Sequence, residues 1–293
     1  MKIATFDYQG QRGVGRVDEV AGTIARFELT AEQANEGIQC LIEMQVAGKD
    51  LPPTAEPLEL TAVRLEAPLP RPRRNIFCVG KNYFDHAHEF AGSGFDSSAA
   101  RGAVPEFPIV FSKVPESVVG NGADIEFDPA VSSAIDYEVE LAVIIGKPGR
   151  GIRSDNALDH VWGYTIVNDV TARDLQGRYS QWLIGKSQDT FCPMGPVAVS
   201  RDEIDLADCG VRSFVNDEKR QDSNTGLLIF DVPTIIETIA AGITLLPGDV
   251  IATGTPAGVG IGFKPPKYMG DGDLVRCEID GIGALENRLR RRG

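Results

Sequence analysis

Two glutamates in an apolar run are the feature of this sequence with the clearest chemistry. Glu138 and Glu140 belong to the segment IDYEVELAVII, residues 135–145, for which we predict a β-strand. In a strand, residues i and i+2 point to the same face, about 6–7 Å apart at Cα, and two like charges placed in this way repel each other. A cation between them would remove the repulsion, and oxygen ligands suit Mg²⁺, Mn²⁺ or Ca²⁺. The alternative is a solvent-exposed strand edge that happens to carry glutamate twice.

A histidine and a glutamate form a second candidate group. On one turn of a helix His86 and Glu89 would be neighbours, and a carboxylate beside an imidazole orients the ring and raises its basicity. This pair is typical of a general base, although many histidines are only structural and His88 lies close by as an alternative. The following residues, 92–103, are rich in Gly, Ser and Ala, and we predict a mobile loop that could act as a lid.

Charged residues further along the chain could complete a site. Asp169 ends an apolar run and could supply a third carboxylate. Lys186 could hold an anionic substrate, and its alternative is an ordinary surface lysine. We expect Arg173 and Asp174 to form a structural ion pair or to brace the site.

A glycine-rich turn begins at Gly254 and Thr255. Its spacing matches neither the P-loop nor the dinucleotide-binding fingerprint. The backbone N–H groups of the turn and the Thr255 hydroxyl could bind a carboxylate. The alternative is a tight turn that uses glycine only for its positive φ.

Composition excludes several classes of protein. The 293 residues carry a formal net charge of −13, from 29 Lys+Arg and 42 Asp+Glu, which argues against nucleic acid or an anionic membrane as partner. We see no signal peptide, and the apolar runs are too short for a transmembrane helix. The five cysteines are odd in number and dispersed, which indicates free thiols in a reducing compartment. We therefore expect a cytoplasmic protein.

The elements that must position these residues are mainly strands. We predict a small N-terminal α/β domain with a proline-rich linker over residues 1–70, and a catalytic domain over residues 71–293. Because strands and helices do not alternate regularly, a doubly wound sheet is not expected. Helices are predicted to begin at Thr30, through a capping box with Gln33, and after Asp231. The predicted strands cover 3–8, 14–17, 76–79, 109–112, 134–145, 163–169, 197–200, 211–215, 249–253 and 273–279.

Taken together, these segments resemble the fumarylacetoacetate hydrolase superfamily over roughly residues 75–289. The resemblance implies an α+β, mainly β fold, a roll of mixed sheets preceded by a small N-terminal domain, and a homodimer. The motifs that carry it are N-Y-x-x-H-x-x-E at 82–89, D-Y-E-V-E-L at 136–141, N-D-V-T-A-R-D at 168–174, G-K-S-x-D-T-F at 185–191, P-G-D-V-I-x-T-G-T-P-x-G-V-G at 247–260 and G-x-G-x-L-x-N at 281–287.

The resemblance also implies a role for each candidate residue. The metal would be Mg²⁺ or Mn²⁺, with Ca²⁺ able to substitute, and the substrate would be a small 2-oxo acid. The implied roles are metal binding by Glu138, Glu140 and Asp169, catalysis by His86, Glu89 and Lys186, and substrate binding by Gly254 and Thr255.

For the reaction, we expect hydrolysis of a C–C bond in a 2,4-dioxo acid such as an acylpyruvate or fumarylpyruvate. The metal would stabilise an enolate, His86 oriented by Glu89 would activate water, and Lys186 would stabilise negative charge. The same residues could instead decarboxylate oxaloacetate or isomerise a hydroxymuconate-type diacid. A non-catalytic protein that binds a metal or a small molecule is a further alternative.

Overall fold

The structure is a computed structural model that describes residues 1–91 and 104–292. The loop predicted over residues 92–103 lies outside the described residues. The strands of the described part are β1 Lys2–Tyr8, β2 Gln11–Asp18, β3 Thr23–Arg26, β4 Leu58–Glu59, β5 Arg64–Glu66, β6 Ile76–Gly80, β7 Ile109–Lys113, β8 Val118–Val119, β9 Asp124–Phe127, β10 Ile135–Asp136, β11 Val139–Ile145, β12 Val161–Asn168, β13 Thr171–Ala172, β14 Cys192–Ser200, β15 Gly210–Val215, β16 Glu218–Asn224, β17 Val250–Ala252, β18 Leu274–Ile279 and β19 Gly283–Arg291. Its α-helices are α1 Ala31–Asn35, α2 Gln39–Val46, α3 Phe84–Ala91, α4 Arg173–Arg178, α5 Leu183–Lys186 and α6 Val232–Ala240.

Most of these strands belong to two mixed sheets. The larger sheet has twelve strands in the order β4-β3-β2-β1-β14-β12-β11-β17-β6-β7, with β5 on β1 and β8 on β14. The smaller sheet has the order β16-β15-β18-β19-β9, and β10 and β13 form a two-stranded pair. Most neighbours are antiparallel, but β17–β6, β14–β8 and β19–β9 are parallel. The predicted α+β, mainly β fold with mixed sheets is therefore confirmed.

Strand β11 lies between two hydrophobic cores, which explains its apolar sequence. Val139, Leu141 and the other odd-numbered residues pack into one core, whereas Ala142 and Ile144 pack into the other. This alternation is what a strand covered on both faces requires. Glu140 interrupts the apolar series in the middle of buried structure, so its carboxylate must find partners inside the protein.

The prediction of one continuous strand over 134–145 is wrong, because the chain leaves the ladder between β10 and β11. The Asp136 carboxylate accepts hydrogen bonds from the backbone N–H groups of Tyr137 at 2.9 Å and Gly260 at 2.6 Å. The Glu138 N–H donates to the side chain of Asn168 at 3.0 Å. Glu138 therefore lies in the break and Glu140 in the strand.

The first seventy residues form elements close to those predicted. Strands β1 and β2 pair as expected, and Thr30 and Gln33 form a capping box at α1. The helical region divides into α1 and α2 around Gly37, which has φ +64°. Strand β1 also pairs with β14 of the later part of the chain, and the domain boundary near residue 70 stays a prediction.

All five cysteines are buried and free, as expected. Among the described residues, the helices are too short or too polar for any of them to cross a bilayer.

Candidate active site

The residues with predicted chemistry meet at one pocket. It encloses about 290 Å³, including the part open to solvent, and its walls include His86, Glu138, Glu140, Lys186 and Thr255. Charged side chains from separate parts of the sequence therefore share one small volume.

The three predicted metal-binding carboxylates form a buried cluster, which we call the carboxylate cluster. Glu138, Glu140 and Asp169 are 4%, 1% and 0% exposed, and each offers an oxygen within 4.8 Å of the others. The antiparallel pairing of β11 with β12 places Asn168 opposite Val139, so Asp169 follows beside Glu138. The alternative of an exposed glutamate edge is wrong.

Three buried cations surround the carboxylate cluster. The Lys186 Nζ atom lies 2.8 Å from Glu138 Oε2 and 2.7 Å from Asp169 Oδ2. Lys113 Nζ lies 2.6 Å from the other Asp169 oxygen and also donates to the carbonyl of Lys186. Arg173 Nη2 lies 2.6 Å from Glu138 Oε1. Lys186 is therefore not a surface lysine.

The charges shift the pKa values in opposite directions. Burial alone would raise the pKa of Glu138, but Lys186 and Arg173 outweigh it and lower that pKa to about 2. Burial also disfavours the charged form of Lys186, yet Asp169 and Glu138 raise its pKa. For Glu140, burial and the neighbouring charges of Asp169 and Glu138 all act together and raise the pKa well above its usual value.

These residues fit a divalent metal ion. Three buried carboxylates with converging oxygens are a donor set for a hard cation. The repulsion that raises the pKa of Glu140 is the repulsion that such an ion would remove. Glu138, Glu140 and Asp169 are therefore the residues that would hold a divalent ion.

Helix α3 carries the predicted acid–base pair. His86 Nδ1 lies 3.3 Å from Glu89 Oε2, as the three-residue spacing predicted. His86 is buried and faces the same pocket as the carboxylate cluster, whereas His88 is exposed and lines another cavity. The geometry therefore favours His86 over His88 as the base.

The glycine-rich turn binds carboxylates, but those of the chain itself. The N–H of Gly254 donates to Glu140 Oε2 at 2.9 Å, and the N–H of Gly258 donates to both oxygens of Glu89 at 3.1 and 3.2 Å. Both glycines also have positive φ, +105° and +103°. Thr255 lines the pocket and accepts a hydrogen bond from Gln221 at 2.7 Å. Substrate binding by Gly254 and Thr255 stays a prediction.

Some residues of the site escaped the sequence analysis. Lys113 was not singled out, and Asp136 was noticed only as part of a motif. Arg173 donates through Nε to Asp136 at 2.8 Å and also contacts Glu138. It therefore braces the site, which was one of the two roles expected for it. The Asp174 carboxylate accepts a hydrogen bond from the Ser132 hydroxyl at 2.6 Å. The charge of Lys113 at the end of an apolar strand was the one signal that could have revealed it.

Comparison with known proteins agrees with this geometry. The family model for the fumarylacetoacetate (FAA) hydrolase C-terminal region matches residues 75–290. "Oxaloacetate tautomerase YisK" of Bacillus subtilis (strain 168) is 51% identical over 231 residues, which are 78% of this chain and 74% of that protein.

Solved structures with the same fold cover the whole chain. A fumarylacetoacetate hydrolase from the psychrophilic Exiguobacterium antarcticum has a TM-score of 0.81 and 42% identity, with 100% of both chains covered. A 2-hydroxyhepta-2,4-diene-1,7-dioate isomerase from Mycobacterium marinum has a TM-score of 0.78 and 33% identity, with 100% of this chain and 99% of that chain covered. The chain is an enzyme of the fumarylacetoacetate hydrolase family.

Proposed function

We propose that this enzyme interconverts the keto and enol forms of a 2-oxo dicarboxylic acid, with oxaloacetate as the first candidate substrate. The observation that carries the proposal is that His86 lines the same small pocket as Glu138 and Glu140, two members of the carboxylate cluster. The printed names of similar proteins, an oxaloacetate tautomerase and a hydroxyheptadienedioate isomerase, support a proton transfer of this kind.

The charge of the site suits an anionic substrate once a metal is present. With all groups ionised, four carboxylates are balanced by four cations, so a divalent ion would turn the local charge positive and attract a dianion. These groups are Asp136, Glu138, Glu140 and Asp169 against Lys81, Lys113, Arg173 and Lys186. When bound, the ion would polarise the keto oxygen and favour the enolate.

The chain's own residues can move the proton. Glu89 engages Nδ1 of His86, so the imidazole would use its other ring nitrogen, Nε2, to take a proton from the carbon next to the keto group. The imidazolium would then give this proton to the enolate oxygen to complete the enol, and the reverse sequence would convert the enol to the ketone. Lys186 lines the pocket and can stabilise the negative charge that develops on the substrate oxygen.

Hydrolysis of a 2,4-dioxo acid, the reaction expected from the sequence, is the second candidate. The His86–Glu89 pair favours it, because the same imidazole could draw a proton from water. Decarboxylation of oxaloacetate would use the carboxylate cluster without an activated water. The oxaloacetate tautomerase at 51% identity supports the first proposal over both.

The test follows the decay of the enol absorbance of oxaloacetate in the presence of Mg²⁺ or Mn²⁺. The variant His86→Ala should lower the rate by about 10²- to 10⁴-fold, as expected for loss of a general base, while Mg²⁺ affinity by calorimetry stays unchanged. The matched control is His88→Ala, which removes an exposed histidine from the same helix and should retain the wild-type rate.

Product analysis separates the candidates. Metal-dependent release of pyruvate from acetylpyruvate, without acceleration of oxaloacetate tautomerisation, would replace the proposal by the hydrolase. Release of CO₂ from oxaloacetate would instead indicate a decarboxylase.

The homodimer is likewise a proposal. Exposed apolar side chains on the neighbouring elements β7 and α5, namely Val110, Leu183 and Ile184, support a self-association surface. Sedimentation velocity would test it, and a monomer at all concentrations would contradict it.

A further inference from the structure

We propose that the turn formed by residues 258–262, called here the 258–262 turn, fixes Glu89 and thereby holds His86 at the pocket. Gly258 and Gly262 are then positioning residues for the reaction. The inference rests on the proposed function in so far as His86 is the base.

The first support is a pair of contacts that Glu89 makes at once. Its carboxylate accepts the Gly258 N–H through both oxygens, at 3.1 and 3.2 Å. Its Oε2 atom also lies 3.3 Å from Nδ1 of His86. The carboxylate therefore joins the 258–262 turn to the imidazole.

The second support is the missing side chain of Gly262. A Cβ atom placed on Gly262 would lie 1.9 Å from Oε1 and 2.2 Å from Cδ of Glu89. The carboxylate of Glu89 thus occupies the volume that any larger residue would need. Because this carboxylate ends a flexible side chain, a methyl group at position 262 would displace Glu89 rather than the backbone.

The third support is that the 258–262 turn is itself held by hydrogen bonds. The N–H groups of Gly260 and Ile261 donate to Asp136 at 2.6 and 3.0 Å, and the Tyr137 hydroxyl donates to the Gly258 carbonyl at 2.9 Å. Asp136 and Tyr137 directly precede Glu138 in the chain. The 258–262 turn therefore links His86, through Glu89, to the segment that leads into the carboxylate cluster.

Helix α3 needs such an anchor. It has eight residues, and isolated helices shorter than about 12 residues are marginal in water. Its orientation must come from tertiary contacts. The hydrogen bond between Glu89 and the 258–262 turn lies one helical turn from His86.

The experiment compares Gly262→Ala with Gly242→Ala. A Cβ atom at Gly242 meets no atom within 4 Å, so this control should keep wild-type kcat. Gly262→Ala should lower kcat by about 10- to 100-fold, since a catalytic group displaced by about 1 Å can cost that much. KM and Mg²⁺ affinity should not change. Gly258→Ala is unsuitable, because its Cβ would lie 2.0 Å from the carbonyl oxygen of Arg220.

A double-mutant cycle excludes a general folding defect. In the Glu89→Ala background the clash partner is gone, so Gly262→Ala should have no further effect on kcat. Additive losses in the double variant, or an unchanged kcat in Gly262→Ala alone, would overturn the proposal.

A measurement without turnover separates this proposal from the proposed function. The ¹⁵N NMR signals of the His86 ring report its tautomer, which is set by the bond that Nδ1 makes. Gly262→Ala and Glu89→Ala should change the signals in the same way, and Gly242→Ala should not. If the wild type does not tautomerise oxaloacetate but these shifts occur, the proposed function is wrong and the positioning role of the 258–262 turn is supported. Unchanged signals in Gly262→Ala would refute the positioning role of the 258–262 turn, whatever the activity.

Discussion

The carboxylate cluster and helix α3 face the same pocket but are held in different ways. The cluster lies at the junction of β11 and β12, and ion pairs of 2.6–2.8 Å join Glu138 and Asp169 to buried cations. Helix α3 presents His86 to the pocket through one turn of helix and the contact of Glu89 with a backbone amide.

This difference separates two kinds of residue. Removal of a charge from the carboxylate cluster leaves a buried ion without its partner, which is costly for folding. Removal of a group from helix α3 changes where an imidazole lies but leaves the core intact. Substitutions in the first region should therefore affect stability and metal binding, and those in the second should affect rate alone.

Asp169→Ala should give the largest effect. It takes away the carboxylate that Lys113 bonds and one of the two carboxylates that Lys186 bonds, so we expect a loss of about 3–5 kcal/mol in the free energy of unfolding together with loss of Mg²⁺ binding. Urea unfolding and calorimetry measure the two effects. Asp222→Ala is the control, because Asp222 is an exposed partner of Lys219. Wild-type stability in Asp169→Ala would erase the distinction between the two regions.

The pH dependence of the metal-free protein should give a smaller effect, through Glu140. Its pKa is raised in the folded protein, so its contribution to stability is full below the unfolded value of about 4.5 and is lost as the pH rises through the folded pKa. As the pH rises above about 4.5, metal-free Glu140→Gln should therefore lose less stability than the wild type. Denaturant unfolding at several pH values measures this, with the exposed Glu126→Gln as control.

The same group should couple metal binding to protons. Because the pKa of Glu140 is raised, Mg²⁺ competes with a proton for this carboxylate, so affinity should rise with pH and binding should release protons. Calorimetry in buffers of different ionisation enthalpy detects that release. Binding enthalpies that do not depend on the buffer would contradict the assignment of Glu140.

Glu89→Gln should give the smallest effect. The amide oxygen can still accept the Gly258 N–H, but a neutral acceptor weakens its bond to His86 by about 1 kcal/mol, or less than about tenfold in kcat. Stability and Mg²⁺ affinity should equal those of the wild type. A stability loss as large as that of Asp169→Ala would show that helix α3 is part of the core after all.

Local spacing was enough to predict the chemistry of the site. The three-residue spacing of His86 and Glu89 placed them on one helical turn, and a short-range pattern of that kind survives in any fold that keeps the helix. The pairing of Glu138 with Glu140 followed from carboxylates at unusually apolar positions, and the grouping of both with Asp169 followed from the resemblance to the family. The mainly β fold followed from many short apolar runs and from the family motifs.

Contacts between distant segments could not be predicted. Lys113 ends β7 and in sequence resembles any exposed strand terminus, but Asp169, 56 residues away, makes it a buried cation. The strand break before Glu138 depends on the bond from Asp136 to Gly260, 124 residues away. In both cases the decisive partner is set by the tertiary fold, which local propensity does not encode.

The pairing of β1 with β14 has a consequence for the chain as a whole. One edge of β14 pairs with β12, which leads to Asp169, and the other edge pairs with β1 through Lys2–Val199 and Ile3–Ala198. A chain shortened at its N-terminus would leave that second edge with unpaired N–H and C=O groups, and open edges of this kind recruit strands from other molecules. The first strand of the protein thus shields the central sheet from aggregation.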